Sequence, residues 1–194
     1  QQLTPYIAMP FTHYVLWYRS TNDWTKGFTP ELKRREYNAV YLFTKDLLTR
    51  YDTAGKTFFL GHWEGDWYLL PDKDVKKDAS PELIAAMIEW LNIRQKAVDD
   101  ARAEVSYAKC RVYTYTEVNR VRDAMKDGRK RLVNAVLPKA NVDFVSYSAY
   151  DCQLLPVEEI RATLDYVNAQ LPAKAGLPAK RVFIGECGLS WKAC

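Results

Sequence analysis

Three glutamates stand where strand-like segments of this sequence end: Glu64, Glu117 and Glu186. In parallel α/β domains, the residues that do chemistry lie at the carboxyl ends of the strands. A carboxyl group at the end of an apolar row is partly desolvated, and desolvation raises its pKa toward the range that suits a general acid at neutral pH. The sequence therefore indicates acid–base chemistry carried by glutamates at strand ends.

Side-chain alternation predicts where these glutamates point. On regular strands Glu64 and Glu186 each extend an apolar row, formed by Phe58, Leu60 and His62 in one strand and by Val182 and Ile184 in the other. Both carboxyl groups are expected on the same side as the core residues of their rows. Glu117 is expected to begin the next helix, where an early acid favours the helix dipole; a role as a second-choice acid or a substrate contact is the alternative.

The elements that must hold these residues alternate along the chain. Helical patterns separate five strand-like runs, at residues 6–18, 57–64, 111–117, 142–150 and 181–186. Two of the helices have clear starts, because Thr29 and Ser80 each precede a proline and a glutamate. This alternation predicts parallel strands joined by right-handed crossovers. No repeat or linker divides the sequence, so residues 1–194 are expected to form one α/β domain.

The composition argues against two classes of partner. Of the 194 residues, 48% are hydrophobic and 13% aromatic, which is typical of a globular domain with a sizeable core. The net charge of +4 is too small to indicate nucleic-acid binding, and no segment has the length and apolarity of a membrane span. The first residues do not resemble a signal peptide, and we expect a secreted or periplasmic protein whose leader has been removed.

Short motifs along residues 57–188 resemble those of clan A glycoside hydrolases. Residues 182–188, VFIGECG, look like the end of the seventh strand of that clan, where a hydrophobic run meets Gly-Glu-x-Gly. Residues 58–64, FFLGHWE, are similar to its fourth strand, and residues 144–150, FVSYSAY, are similar to its sixth. Two complete strand–helix units lie between Glu64 and Glu186, as this assignment requires.

The resemblance implies a (β/α)8 TIM barrel and a retaining mechanism with two glutamates. Glu186 would be the nucleophile and Glu64 the acid/base, acting on an oligo- or polysaccharide without a cofactor. Tyr147 or Tyr150 would form a hydrogen bond with Glu186. Only five strands are visible, corresponding to strands three to seven, so an incomplete barrel, a piece of a longer chain or an open relative is expected.

The resemblance also implies residues that contact the sugar. Three tryptophans are candidates for stacking on sugar rings, although tryptophan serves more often in cores; they are Trp63, Trp67 and Trp191. The clan has an asparagine before the acid/base, which binds the sugar 2-hydroxyl. Trp63 stands there instead, so His62 or Asn119 would replace it. His13 is expected at the end of the first strand, lining the pocket, with a structural role as the alternative.

The acids also have structural alternatives. Glu64 can cap a helix or join a salt bridge, and Glu186 can pair with Lys180 or Lys192. Asp151 suits a turn as well as a substrate contact.

Two further functions are open at this point. His62, Glu64 and Asp66 alternate, so on an extended strand they would face one side and bind a divalent metal together with His13, as in a metal-dependent hydrolase. The other function is a non-catalytic, carbohydrate-binding barrel fragment. The cysteines have no metal-type spacing, and their pairing is left open; they are Cys110, Cys152, Cys187 and Cys194.

Overall fold

The computed structural model describes residues 4–19 and 23–188, and its centre is a sheet of five parallel strands. The strands are β1 (His13–Trp17), β2 (Thr57–Gly61), β3 (Arg111–Val118), β4 (Phe144–Ser148) and β5 (Val182–Glu186). They pair in sequence order, and every pairing is parallel. The prediction of a parallel α/β sheet is therefore confirmed.

Helices connect the strands. They are α1 (Thr4–Ile7), α2 (Pro30–Arg50), α3 (Gly65–Leu69), α4 (Pro81–Glu104), α5 (Val121–Asp127) and α6 (Val157–Ala169). The long helices α2 and α4 begin as predicted, because the Thr29 hydroxyl accepts the Leu32 N–H and the Ser80 hydroxyl accepts the Leu83 N–H. Within the described residues, no helix has the length and apolarity needed to cross a membrane.

Two segments differ from the predicted elements. The sequence predicts a strand over residues 6–18, but β1 covers only His13–Trp17 and a short helix precedes it. It also predicts a helix over residues 121–137. That helix ends at Asp127, because Gly128 takes a left-handed conformation with φ 67°, and a π-helical turn over Leu132–Val136 follows.

The sheet is curled into half of a barrel wall. Phe59 of β2 and Phe183 of β5 have ring centroids 5.9 Å apart, although β3 and β4 lie between them. In a flat sheet three strand spacings would separate them by about 14 Å. Tyr113 and Phe144 pack against Phe59 on the same concave face. The architecture is consistent with a partial α/β barrel.

The convex face of the sheet carries the hydrophobic core. Phe58 and Leu60 of β2 pack in one cluster with Val40 of α2 and Val98 of α4. A second cluster surrounds Trp90 and includes side chains of β3, β4 and α6. Each fully buried side chain of this size contributes roughly 1.5–3 kcal/mol. Since the helices cover the convex face, the concave face and the carboxyl edge are where acidic side chains can gather.

Candidate active site

The carboxyl edge of the sheet carries a cleft of about 770 Å³ that is rich in aromatic rings. Its aromatic lining consists of Trp17, Tyr18, Trp24, Trp63, Trp67, Tyr68 and Trp90. The rings of Trp17 and Trp63 stack with centroids 5.3 Å apart, yet the two residues are still 58% and 45% exposed. Exposed flat rings of this kind can bind the apolar face of a sugar. Arg19, Asp23 and Glu64 add charge to the lining.

Glu64 lines this cleft, but it is not the strand residue that the sequence predicts. β2 ends at Gly61, and Glu64 takes the left-handed conformation, with φ 53° and ψ 55°. This backbone turn removes Glu64 from the row of Phe58 and Leu60, so the prediction that it points with the core is wrong. Glu64 precedes α3 at the N-cap position, but its side chain makes no capping hydrogen bond. The capping alternative therefore does not account for this acid.

His62 is buried, and it forms part of the lining of the cleft. Its Nε2 forms a hydrogen bond of 2.6 Å with the Thr116 hydroxyl, and its ring lies 5.0 Å from that of Trp90. Burial, followed by the positive charge of Arg94, lowers the pKa of His62 to about 3. The imidazole is therefore neutral at physiological pH and is a wall of the cleft rather than a proton carrier.

Asp66 and His13 do not join His62 in a metal site. The buried Asp66 carboxylate accepts hydrogen bonds from three backbone N–H groups, those of Asn119, Arg120 and Leu132. His13 is the first residue of β1, at the amino edge of the sheet, so the prediction that it ends that strand is wrong. Among residues 4–19 and 23–188, no group of three or more histidine, cysteine, aspartate or glutamate side chains is placed to hold a metal ion.

Glu186 lies on the concave face, where two donors hold its carboxylate. Oε1 accepts the Nε1–H of Trp63 at 2.7 Å, and Oε2 accepts the Ser148 hydroxyl at 3.1 Å. These two hydrogen bonds fix the orientation of the Glu186 side chain. Lys180, one structural partner considered from the sequence, instead pairs with Asp165 at 3.4 Å. The other, Lys192, lies outside the described residues.

A bulge places Glu186 on that face. The register of β4 with β5 shifts between Tyr147 and Ser148, so that Ser148 is paired with Glu186. The shift breaks the alternation from which the sequence predicts Glu186 in the row of Val182. That prediction is wrong for the same reason as for Glu64: the backbone leaves the regular strand just before the acid.

Glu117 is a buried carboxyl group of β3, coupled to Glu186. The prediction that it begins a helix is wrong, because it lies within the strand and α5 begins only at Val121. Its Oε1 accepts the backbone N–H of Glu64 at 2.8 Å, and its Oε2 accepts the Ser146 hydroxyl at 3.3 Å. Burial, with a further contribution from the negative charge of Glu186, raises the pKa of Glu117 to about 7. This residue therefore titrates near neutral pH.

The tyrosines predicted beside Glu186 lie elsewhere. Tyr147 is fully buried in the core and its hydroxyl donates to Asp151, and Tyr150 is 57% exposed on a 3₁₀ turn after β4. Asp151 also accepts the Arg122 N–H at 2.9 Å, so its contacts with described residues are structural.

Two serines were missed as site residues. Ser146 and Ser148 lie on the concave face of β4, where they contact Glu117 and Glu186 respectively. The sequence does carry a signal for them, since alternation puts the two serines together on the face opposite Tyr147. Small hydroxyls at a strand end are suitable donors to neighbouring carboxylates.

The remaining candidates have mixed outcomes. Trp67 lines the cleft, and its role in sugar stacking stays a prediction. Asn119 is buried, and its Oδ1 accepts the Asp66 N–H at 3.3 Å, so this amide oxygen supports the start of α3. Trp191 lies outside the described residues.

The described cysteines are free thiols; they are Cys110, Cys152 and Cys187. Cys194 lies outside the described residues.

Comparisons with protein-family models, with curated proteins and with solved structures gave no match. Glu64 lines an aromatic cleft, and two coupled carboxyl groups, those of Glu117 and Glu186, lie next to it on the concave face. Trp63 belongs to both parts of the site.

Proposed function

We propose that this protein binds carbohydrate in the aromatic cleft and cleaves glycosidic bonds, with Glu186 as the nucleophile and Glu64 as the acid/base. The observation that carries the proposal is the position of Trp63. Its ring forms part of the cleft wall that Glu64 also lines, while its Nε1 holds Glu186 at 2.7 Å. One side chain thus connects a surface suited to sugar stacking with both catalytic candidates.

The two glutamates take different parts in the proposed reaction. Glu186 accepts two hydrogen bonds, from Trp63 and Ser148, which hold its carboxyl group in place for attack on the anomeric carbon. As the bond between that carbon and Glu186 forms, the bond to the leaving oxygen breaks, and Glu64 gives that oxygen a proton. In the second step water attacks the same carbon, its proton passes to Glu64, and Glu186 leaves as a carboxylate.

The curled parallel sheet supports a (β/α)8-type barrel as the finer description of the fold. In such barrels catalytic groups come from the carboxyl ends of several strands. Here Glu64 follows β2 and Glu186 ends β5, and both are at that edge. The substrate class we propose is an oligo- or polysaccharide, because a cleft with several exposed rings can contact more than one sugar unit.

The experiment combines binding and turnover on the same variants. Oligosaccharides of different linkage are tested by calorimetry and by release of reducing ends, using wild type, E186Q, E64Q and the control E158Q, which changes an exposed glutamate of α6. We expect E186Q and E64Q to bind glycan but to lose on the order of 10²-fold or more in kcat, with E158Q like wild type. A fluorinated glycoside that traps the intermediate should add covalently to Glu186.

Each outcome distinguishes between functions. Normal turnover by E186Q or E64Q would remove that residue from the mechanism. Glycan binding without turnover in wild type, unchanged in E186Q, would indicate a non-catalytic carbohydrate-binding domain. Failure of wild type to bind any glycan of the panel would overturn the proposal.

A further inference from the structure

We propose that Glu117 is a positioning residue: its carboxyl group holds the backbone of Glu64 in the left-handed conformation and thereby directs the Glu64 side chain into the cleft. The catalytic consequence rests on the function proposed above. The positioning itself is a claim about backbone geometry, and it can be tested without any substrate.

The conformation of Glu64 needs a support. With φ 53° and ψ 55°, Glu64 is one of two non-glycine residues with a positive φ in the described part of the chain. Residues with a Cβ seldom adopt this conformation, and they keep it only where surrounding contacts hold them. The side chain of Glu64 provides no such contact at the N-cap of α3. The backbone N–H of Glu64 does have a described partner that can provide such support.

Glu117 provides that backbone contact. Its Oε1 accepts the Glu64 N–H at 2.8 Å, while its Oε2 accepts the Ser146 hydroxyl, so both oxygens have partners. Glu117 is 1% exposed and is fixed within β3. A buried acceptor that is fixed within a strand restrains the position of the more exposed residue that it binds.

The residues after Glu64 dock on the same strand. A Cβ at Gly65 would lie 2.4 Å from the carbonyl oxygen of Glu117, so only glycine permits this close approach. Asp66 accepts the N–H groups of Asn119 and Arg120, just beyond the end of β3. Residues 64–66 thus follow the end of β3 closely. The Glu117 carboxyl group binds the N–H of Glu64, and the Glu64 carbonyl accepts the Trp67 N–H at 3.2 Å within the first turn of α3.

The test compares two replacements of Glu117 that differ in reach. E117Q keeps an oxygen at the same distance from the backbone. E117D keeps the carboxyl group but is one methylene shorter, so it cannot hold both the Glu64 N–H and the Ser146 hydroxyl. S146A is the matched control for the backbone readout, because it removes only the second of these bonds. Hydrogen exchange and the NMR chemical shift of the Glu64 amide are measured in all variants.

In E117D we expect the Glu64 amide to exchange at least about tenfold faster than in wild type, whereas E117Q and S146A keep most of its protection. The Glu64 amide signal should still move in E117Q, because its acceptor changes from a carboxyl to an amide oxygen. On glycan substrate, kcat of E117D should fall about tenfold or more with KM within about twofold, and E117Q should recover most of this loss.

Three results would overturn the proposal. One is a Glu64 amide that stays as protected in E117D as in wild type. Another is an E117Q variant that deprotects the amide as much as E117D does. If E117D does not fold, the decisive result is E117Q, where an unmoved Glu64 amide signal contradicts the contact. Absence of glycosidase activity in wild type would refute the proposed function, while the amide measurements would still decide the positioning.

Discussion

Two buried carboxyl groups, at opposite edges of the same sheet, have contrasting partners. Asp143 precedes β4 at the amino edge and is fully buried, with Arg102 at 3.0 Å and Lys174 at 2.6 Å from its oxygens. Glu117 lies toward the carboxyl edge of β3 and is equally buried. It makes no ion pair with any described residue; its partners include the Glu64 N–H, the Ser146 hydroxyl and the Asn119 side chain, and the like charge of Glu186 lies close to it.

The contrast indicates that Asp143 has a structural role at one edge of the sheet, whereas Glu117 belongs to the candidate active site at the other. Two cations pair with Asp143, and a backbone N–H and the Gln95 amide also donate to it, which is the set of partners that a buried carboxylate requires. Among residues 4–19 and 23–188 no cation pairs with Glu117, and burial together with the negative charge of Glu186 raises its pKa to about 7. Carboxyl groups with perturbed titration gather at functional sites, and this one contacts the backbone of Glu64.

The largest effect that tests this contrast is expected from D143N. This change keeps the shape of the side chain but leaves Arg102 and Lys174 without their common partner. We expect the free energy of unfolding to fall by about 3 kcal/mol, because Lys174 loses its carboxylate partner and an amide cannot accept from all four donors that meet at Asp143, although Arg102 keeps its pair with Asp99. Urea denaturation at pH 7 measures it. A loss below about 1 kcal/mol would show that the Asp143 cluster is not the structural support that its contacts indicate.

The matched change at the other edge, E117Q, is expected to have the opposite sign. The folded-state pKa of Glu117 is raised above its unfolded value, so its contribution to stability is fully present below about pH 4.5 and is lost as the pH rises to about 7. Glutamine does not ionise and avoids this loss. Since a tenfold change in proton affinity corresponds to about 1.4 kcal/mol, E117Q should be more stable than wild type by up to about 3 kcal/mol at pH 8 and by little at pH 4.

The measurement is urea denaturation of wild type and E117Q across this pH range. Because only the difference between the two proteins is used, the opposite titration of His62, whose pKa is lowered, cancels. A difference that does not change with pH would mean that Glu117 does not titrate in the folded protein as its surroundings indicate.

Much of this fold follows from local signals in the sequence. Thr29 and Ser80 are capping residues before prolines, and they begin the two long helices where expected. The apolar runs that become β2 to β5 lie close to their predicted positions. Such signals depend on neighbouring residues along the chain, so a single sequence contains them. The short helix before β1 and the break at Gly128 depend on local backbone geometry that periodicity does not report.

The site was harder to predict, because its acids lie where regular structure stops. Alternation assumes a continuous strand, but Glu64 follows a left-handed turn and Glu186 follows a bulge. The burial of Glu117 depends on the curl of the sheet, which brings distant strands together on the concave face. That three strand ends carry glutamates was visible in the sequence. Which partners they meet was not, since it depends on tertiary contacts.

The smallest effect is expected from W63F, which changes one exposed contact at the carboxyl edge. Phenylalanine keeps an aromatic face in the cleft but removes the Nε1–H that binds Glu186. Because Glu186 is only partly buried, water can replace the lost donor, and the free energy of unfolding should fall by only about 0.5–1.5 kcal/mol. Glycan affinity should change little, while turnover falls because Glu186 loses one of its two donors. If W63F instead destabilises the fold as strongly as D143N, Trp63 is a structural residue, and the carboxyl edge is then no more specialised for chemistry than the amino edge.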